Sequence, residues 1–134
     1  MSTQNPQRVL VVDDEGPIRG MLTHIIEGSG GNVVGEAKNG EEAIEASKRL
    51  RPDLICLDIS MPTMGGFPAA RWLKRNMPEL AIIFVTQHRE QSYREEAMNC
   101  GARGYVIKSA ALTELPDAMH TLEAGGTFCS SLVA

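Results

Sequence analysis

Cysteine is scarce: Cys56, Cys100 and Cys129 are the three in 134 residues, and their spacing is not that of metal ligands. An odd number of distant thiols speaks against a structural zinc site and fits free thiols in a reducing cytoplasm. Long hydrophobic runs are also missing. The polar segment Met1–Arg8 leads into an apolar run of four residues, Val9–Val12, too short for a signal peptide or a membrane span. Positive charge is not in excess. With 13 Lys+Arg against 17 Asp+Glu the net charge is −4, which gives no general reason to expect nucleic acid or an anionic membrane as partner. His24, His88 and His120 are scattered, so neither a metal site nor a catalytic histidine is favoured. Repeats, linkers and low-complexity tracts are absent, and one domain is expected.

What is present is a globular composition, 43% hydrophobic and 22% charged, in a chain long enough to bury a core. Short apolar runs alternate with helical patterns. Arg8–Val12 reads as a buried strand that stops at Asp13-Asp14-Glu15. Ile18, Met21, Leu22 and Ile25 then mark one helix face, with Asp14 placed to cap it and Pro17 in its first turn. Asn32–Ala37 reads as an edge strand, and Asn39 as the cap of a helix over Gly40–Leu50, closed by Lys48 and Arg49.

Leu54–Leu57 is apolar throughout, as in a strand buried on both faces, and it ends in the carboxylate of Asp58. Phe67, Ala70, Leu73 and Met77 form a helical stripe. Ala81–Thr86 is a fourth strand, about Glu90–Cys100 a fourth helix closed by Gly101, and Gly104–Ile107 a fifth strand ending at Lys108. The last helix is expected from about Thr113, its N-cap, to Ala124, which puts Pro116 at a third helical position where a missing N–H costs nothing.

Five βα units with uniformly buried strands predict an α/β fold, a single (βα)5 domain. Its five-stranded parallel sheet would have the flavodoxin-like order 2-1-3-4-5, with helices on both faces. The carboxyl ends of such strands form the functional edge. There the sequence places Asp13, Asp14, Glu15, Asp58, Thr86 and Lys108. Clustered carboxylates repel unless a cation joins them, and a hard ion such as Mg²⁺ binds carboxylate, carbonyl and water oxygens while leaving room for a phosphate. Lys108 and Thr86 offer donors to phosphoryl oxygens. An aspartate nucleophile in that company suits phosphoryl transfer through an acyl phosphate. Each residue also has a plain structural reading: Asp13-Asp14 as helix caps, Thr86 as a strand-end residue, Tyr105 as core, Lys108 as a solvated lysine.

Val12-Asp13-Asp14-Glu15, Leu57-Asp58-Ile59-Ser60-Met61-Pro62, Val85-Thr86 and Gly101-Ala102-Arg103-Gly104-Tyr105-Val106-Ile107-Lys108 together resemble the receiver domain of bacterial two-component response regulators. Val34-Gly35-Glu36-Ala37 and Leu122–Gly126 are similar to receivers that precede a LuxR-type helix-turn-helix. The resemblance places a receiver domain at residues 7–126, with short tails at 1–6 and 127–134. It implies that Asp58 accepts a phosphoryl group from a sensor histidine kinase or a phosphotransfer protein. It also implies that Asp14, Asp58 and the Ser60 backbone carbonyl ligate Mg²⁺ or Mn²⁺, with Asp13 acting through water. Lys108 would pair with the phosphate, and Thr86 would turn toward it and make room for Tyr105. The face of the fourth helix, fifth strand and fifth helix would repack and signal to a protein partner or a second copy.

Catalysis would be limited to the protein's own phosphotransfer and autodephosphorylation. The setting would be cytoplasmic, and the 26 residues after Lys108 are too few for a helix-turn-helix, so no nucleic acid is expected to bind this chain itself; it reads either as a free-standing receiver or as the receiver portion of a transcriptional regulator.

Three positions depart from the family pattern. Gln87, where a small residue is usual, is expected to crowd the phosphate entrance and slow transfer or hydrolysis. Ser109 stands where proline is frequent, so a trans peptide is expected after Lys108. Gly65 replaces a commonly acidic residue. Two other readings share the chemistry: a small Mg²⁺-dependent phosphatase with an aspartate nucleophile, and a receiver that binds partners without phosphorylation.

Overall fold

A computed structural model describes residues 6–134. Strands β1 (Arg8–Val12), β3 (Leu54–Leu57), β4 (Ala81–Thr86) and β5 (Gly104–Ile107) are buried along nearly their whole length, as expected of apolar runs without alternation. Successive residues serve opposite faces. Leu10, Ile55, Leu57, Phe84 and Tyr105 face one core, which is closed by Ala43 and Ala46 of α2 (Gly40–Leu50), Ala69 and Leu73 of α3 (Gly66–Asn76) and Ala97 of α4 (Gln91–Asn99). Val9, Val11, Cys56, Ile83 and Val106 face the other, under Leu22 and Ile26 of α1 (Gly16–Gly28) and Leu115, Ala118 and Leu122 of α5 (Ala111–Glu123). The small residues on α2 and α3 let those helices lie close to the sheet.

All strand pairs are parallel, and the order is β2-β1-β3-β4-β5-β6, with β2 spanning Asn32–Ala37 and β6 Phe128–Cys129. The flavodoxin-like arrangement of the first five strands is as expected; the count of five is not. Residues 127–134, read as a tail, supply the sixth strand and continue across the sheet edge. Ser130 donates its N–H to Tyr105 O (2.8 Å) and its hydroxyl to Glu114 Oε2 (2.7 Å). Farther on, Ala134 N–H reaches Arg89 O (3.0 Å). A two-residue strand carries too little pattern to be seen in sequence, and its place is set by these bonds.

Two helix starts also differ. Glu15 occupies the N-cap of α1 without a side-chain bond, and Asp13 Oδ1 accepts the Glu15 N–H instead (3.0 Å), so Asp14 is left out of capping. The last helix begins at Ala111, after a 3-10 turn at Lys108–Ala110, which places Pro116 inside it and Thr113 beyond its cap. Thr113 Oγ1 donates to Ala110 O (3.2 Å). The lost Pro116 N–H would have gone to the carbonyl of Leu112, a residue 74% exposed. Asn39 does cap α2, its Oδ1 accepting the Glu42 N–H at 2.8 Å. Among the described residues no helix is long and apolar enough to cross a membrane, and no peptide bond is cis.

Candidate functional site

Strand order reverses between β1 and β3, so the connections leave their carboxyl ends in opposite directions and open a crevice there. The ladder reaches one residue past each strand: Asp13 N–H donates to Ala37 O and Asp58 N–H to Val12 O, both at 3.1 Å. These bonds hold the two backbones that carry the carboxylates. Asp13 is fully buried and Asp58 is 5% exposed, whereas Asp14 is exposed at the rim. Carboxylate oxygens of the three lie within 4.8 Å of one another.

Lys108, delivered by the end of β5, bridges the pair, with its Nζ 2.8 Å from Asp13 Oδ2 and 3.1 Å from Asp58 Oδ2. Glu114 of α5 holds the strand end that carries this lysine, accepting the Ile107 N–H at 3.1 Å. Burial pushes the Asp58 carboxyl above its ordinary value. The Lys108 charge and the Ile59 N–H (2.8 Å to Oδ1) pull it down without cancelling that effect, and Asp13 adds to the rise. Burial pulls the Lys108 ammonium down, but its bonds to Asp13 and Asp58 outweigh this and leave it above the usual lysine value.

Three carboxylates facing one lysine carry more negative charge than the cluster neutralises. Oxygen donors at that spacing, open to solvent on the Asp14 side, fit a hard divalent ion that keeps part of its water. Beside them lies a cleft of about 240 Å³ whose walls include Asp14, Asp58, Ser60, Gln87, His88 and Lys108.

Of the residues singled out in the sequence, Asp13, Asp14, Asp58 and Lys108 converge, with exposed Ser60 and Gln87 on the rim. Thr86 lies behind the cleft, fully buried, its Oγ1 accepting the His88 N–H at 3.2 Å. Tyr105 is in the core, and its hydroxyl donates to His88 O at 2.8 Å; burial holds that hydroxyl above the usual phenol range. Cys56 is a buried apolar residue, its thiol pushed up to about 12 by burial.

His88, set aside in the sequence as one of three scattered histidines, stands at this cleft. Its ring Nε2 is 3.0 Å from Ser60 Oγ across the cleft mouth. The one signal for it was its position two residues beyond Thr86, on the edge where the strands end.

The family model of the response regulator receiver domain matches residues 9–120. Response regulator GacA of Pseudomonas viridiflava is 36% identical over 128 residues, 95% of this chain and 60% of that protein. Chemotaxis protein CheY of Thermotoga maritima is 37% identical over 114 residues, 85% of this chain and 95% of that one. Among solved structures, a LuxR-family two-component response regulator from Aurantimonas sp. SI85-9A1 superposes with a TM-score of 0.91 at 30% identity, covering 96% of this chain and 92% of the other. The chain thus spans about 60% of the length of the GacA proteins it matches.

Proposed function

The chain belongs to the response regulator receiver domain family, and from that premise we propose that it receives a phosphoryl group on Asp58 and passes the change to a protein partner through the face of α4, β5 and α5. The observation that carries this reading is the Lys108 bridge between Asp13 and Asp58 beside an open cleft at the sheet's switch point. Residues 7–126 form the receiver, and residues 127–134 complete its sheet.

A carboxylate oxygen of Asp58 attacks the phosphorus of a phosphohistidine, the P–N bond breaks, and the histidine nitrogen leaves with the electron pair and takes up a proton. Asp14, Asp58 and the Ser60 carbonyl, with Asp13 beside them, would hold Mg²⁺ or Mn²⁺, which would supply charge neutralisation for the incoming phosphate. Lys108, already 3.1 Å from Asp58, shifts its ammonium onto a phosphoryl oxygen, which exchanges one anionic partner for another in the same place. Thr86 turns its hydroxyl to donate to a second oxygen. Asp58 therefore goes from a carboxylate paired with lysine to a group of greater negative charge. The loop after β4, tied to Thr86 and Tyr105 through His88, is the element that the new charge biases.

The donor is a histidine kinase or a phosphotransfer protein in the cytoplasm, and the catalytic contribution is confined to the protein's own phosphorylation and dephosphorylation. Output runs through a protein partner or a second copy if the receiver stands alone, or through a following domain if it is the receiver portion of a transcriptional regulator; α1 to α5 themselves all pack on the sheet. Gln87 narrows the entrance and slows transfer. Gln87→Ala is expected to take up phosphate several-fold faster, and unchanged uptake and decay rates would refute that role.

Incubation with Mg²⁺ and acetyl phosphate, followed by intact mass measurement, is expected to give one phosphoryl adduct that is missing from Asp58→Asn. Absence of the adduct from the wild type refutes the reading, and continuous turnover of a generic phosphate ester would favour a phosphatase instead.

A further inference from the structure

Beyond Gly126 the chain runs along the edge of β5 and on to the first turn of α4. Arg103, the residue before β5, holds the start of this segment, donating from Nη2 to Leu122 O (3.1 Å) and Gly126 O (2.9 Å). Backbone bonds carry the rest: Phe128 N–H to Arg103 O (2.9 Å), Ser130 N–H to Tyr105 O (2.8 Å), Ala134 N–H to Arg89 O (3.0 Å) and Gln91 N–H to Ala134 O (3.2 Å). Three side chains point inward. Half-buried Phe128 packs on the core beneath α1 and α5, and half-buried Val133 on the core beneath α2, α3 and α4. Between them buried Ser130 gives its hydroxyl to Glu114 Oε2 (2.7 Å) and accepts the Leu132 N–H (3.0 Å). The residues in the gaps, Cys129, Ser131 and Leu132, are exposed.

The segment is held as an extended peptide is held by a sheet edge: main-chain groups give the bonding, and slots for spaced side chains choose the sequence. The Glu114 slot is the selective one. One carboxylate oxygen is committed to the Ile107 N–H (3.1 Å), which leaves the other as a buried acceptor that an apolar residue would strand. Yet little keeps the segment in place. Its strand is two residues long and follows Gly125, at φ +89°, and Gly126, while α4, where it ends, fully buries Ala97 alone.

We propose that this groove is a binding site for an extended segment of a partner protein, closed in cis by residues 128–134. The partner segment carries the same pattern: an apolar residue, Ser or Thr two positions on, and an aliphatic residue three positions beyond that. The inference rests on the output face of α4, β5 and α5 proposed above and names what that face takes. A tethered segment occupies the groove at an effective concentration on the order of millimolar, so a free one enters when the cis segment is released.

Ser130→Asp sets a second carboxylate against Glu114 and so releases the segment, while every residue of the groove itself stays as it is. The probe is a fluorescent peptide with the sequence of residues 127–134, acetylated and amidated so that terminal charges play no part. In anisotropy titrations under reducing conditions and without a phosphodonor, Ser130→Asp is expected to bind it at least about tenfold more tightly than the wild type does. Alanine in place of the peptide serine that matches Ser130 should weaken that binding by about tenfold or more. Val133→Asp frees the segment from its other end without touching Glu114, and it repeats the comparison if Ser130→Asp folds poorly.

Hydrogen exchange supplies the second readout: amides of residues 127–134 should exchange slowly in the wild type and fast in both variants. Equal peptide binding by wild type and opened variants overturns the proposal, and so does equal binding of the serine and alanine peptides. A segment that exchanges as fast in the wild type as in the variants overturns the closure in cis. A wild-type dimer that Ser130→Asp dissolves would put a second copy's segment in the groove and overturn the partner reading. No phosphoryl group takes part, so each of these failures leaves the phosphoacceptor reading standing, and failed phosphorylation of Asp58 leaves the peptide result as it is.

Discussion

Replacing Asp58 by asparagine is expected to make the metal-free protein more stable, because the site is built around charges that oppose folding. The substitution keeps the shape of the side chain and removes one unit charge. Carboxylate oxygens within 4.8 Å of one another repel by about 3.5 kcal/mol per pair at an effective dielectric constant near 20, and the Lys108 pair at 3.1 Å attracts by about 5 kcal/mol. Asp58 faces two such repulsions and one attraction. After allowance for solvent around the exposed Asp14, and for relief of a buried charge, the amide should win by about 1–2 kcal/mol. For a domain of this size that is a rise of roughly 5 °C in Tm.

The pH dependence carries a sign that packing effects do not. Burial first, and Asp13 after it, hold the folded-state pKa of Asp58 above the ordinary 3.8, so the folded chain binds the proton more tightly than the unfolded one. Wild-type stability therefore falls as pH rises from about 3.8 through that raised value. The advantage of Asp58→Asn should be full above the window and vanish below it. Urea unfolding of both proteins in EDTA and low salt, from pH 4 to pH 8, measures this. An Asp58→Asn protein no more stable than wild type at pH 7.5, or a gain that does not change with pH, would refute the electrostatic account.

The same geometry sets other outcomes. Mg²⁺ at about 100 times its dissociation constant should stabilise the wild type by about 2.7 kcal/mol in thermal unfolding, and much less in Asp58→Asn, which lacks one ligand. Lys108→Ala strips the shared cation from two buried acids and should cost about 2–3 kcal/mol at neutral pH in EDTA, with Mg²⁺ restoring part of it; an unchanged denaturation midpoint would contradict the bridge. Gly66→Ala should be severe, more than about 3 kcal/mol, because a Cβ there collides with the Asp58 carbonyl oxygen at the start of α3; a well-folded variant with wild-type phosphorylation would show that the loop can give way.

Much of the fold and the site was legible because buried parallel strands announce themselves. Leu54–Leu57 and Gly104–Ile107 are continuous apolar runs, and the residues at their carboxyl ends, Asp58 and Lys108, had to meet at one sheet edge. Asn39 was legible as a cap because the bond it makes is local. The misreadings share a different cause. Thr113 resembled an N-cap, but the helix is entered through a 3-10 turn at Lys108–Ala110 that carries no capping side chain. His88 looked scattered because its partner, Ser60, is 28 residues away and the two meet only across the cleft. Phe128–Cys129 shows no strand pattern, and docking against β5 alone makes it one.

That sixth strand bears on how this domain meets other sheets. A parallel sheet ending at β5 would offer the backbone of Gly104–Ile107 as a template for a foreign strand; here the chain's own Phe128 and Ser130 donate their N–H groups to the carbonyls of Arg103 and Tyr105. A two-residue strand is itself too short to recruit another. The opposite edge, β2, is longer, and it carries exposed Asn32 at its start and exposed Glu36 next to its end, the latter paired with Arg19 at 2.8 Å. Both margins of the sheet are thereby blunted against edge-to-edge pairing with a foreign strand.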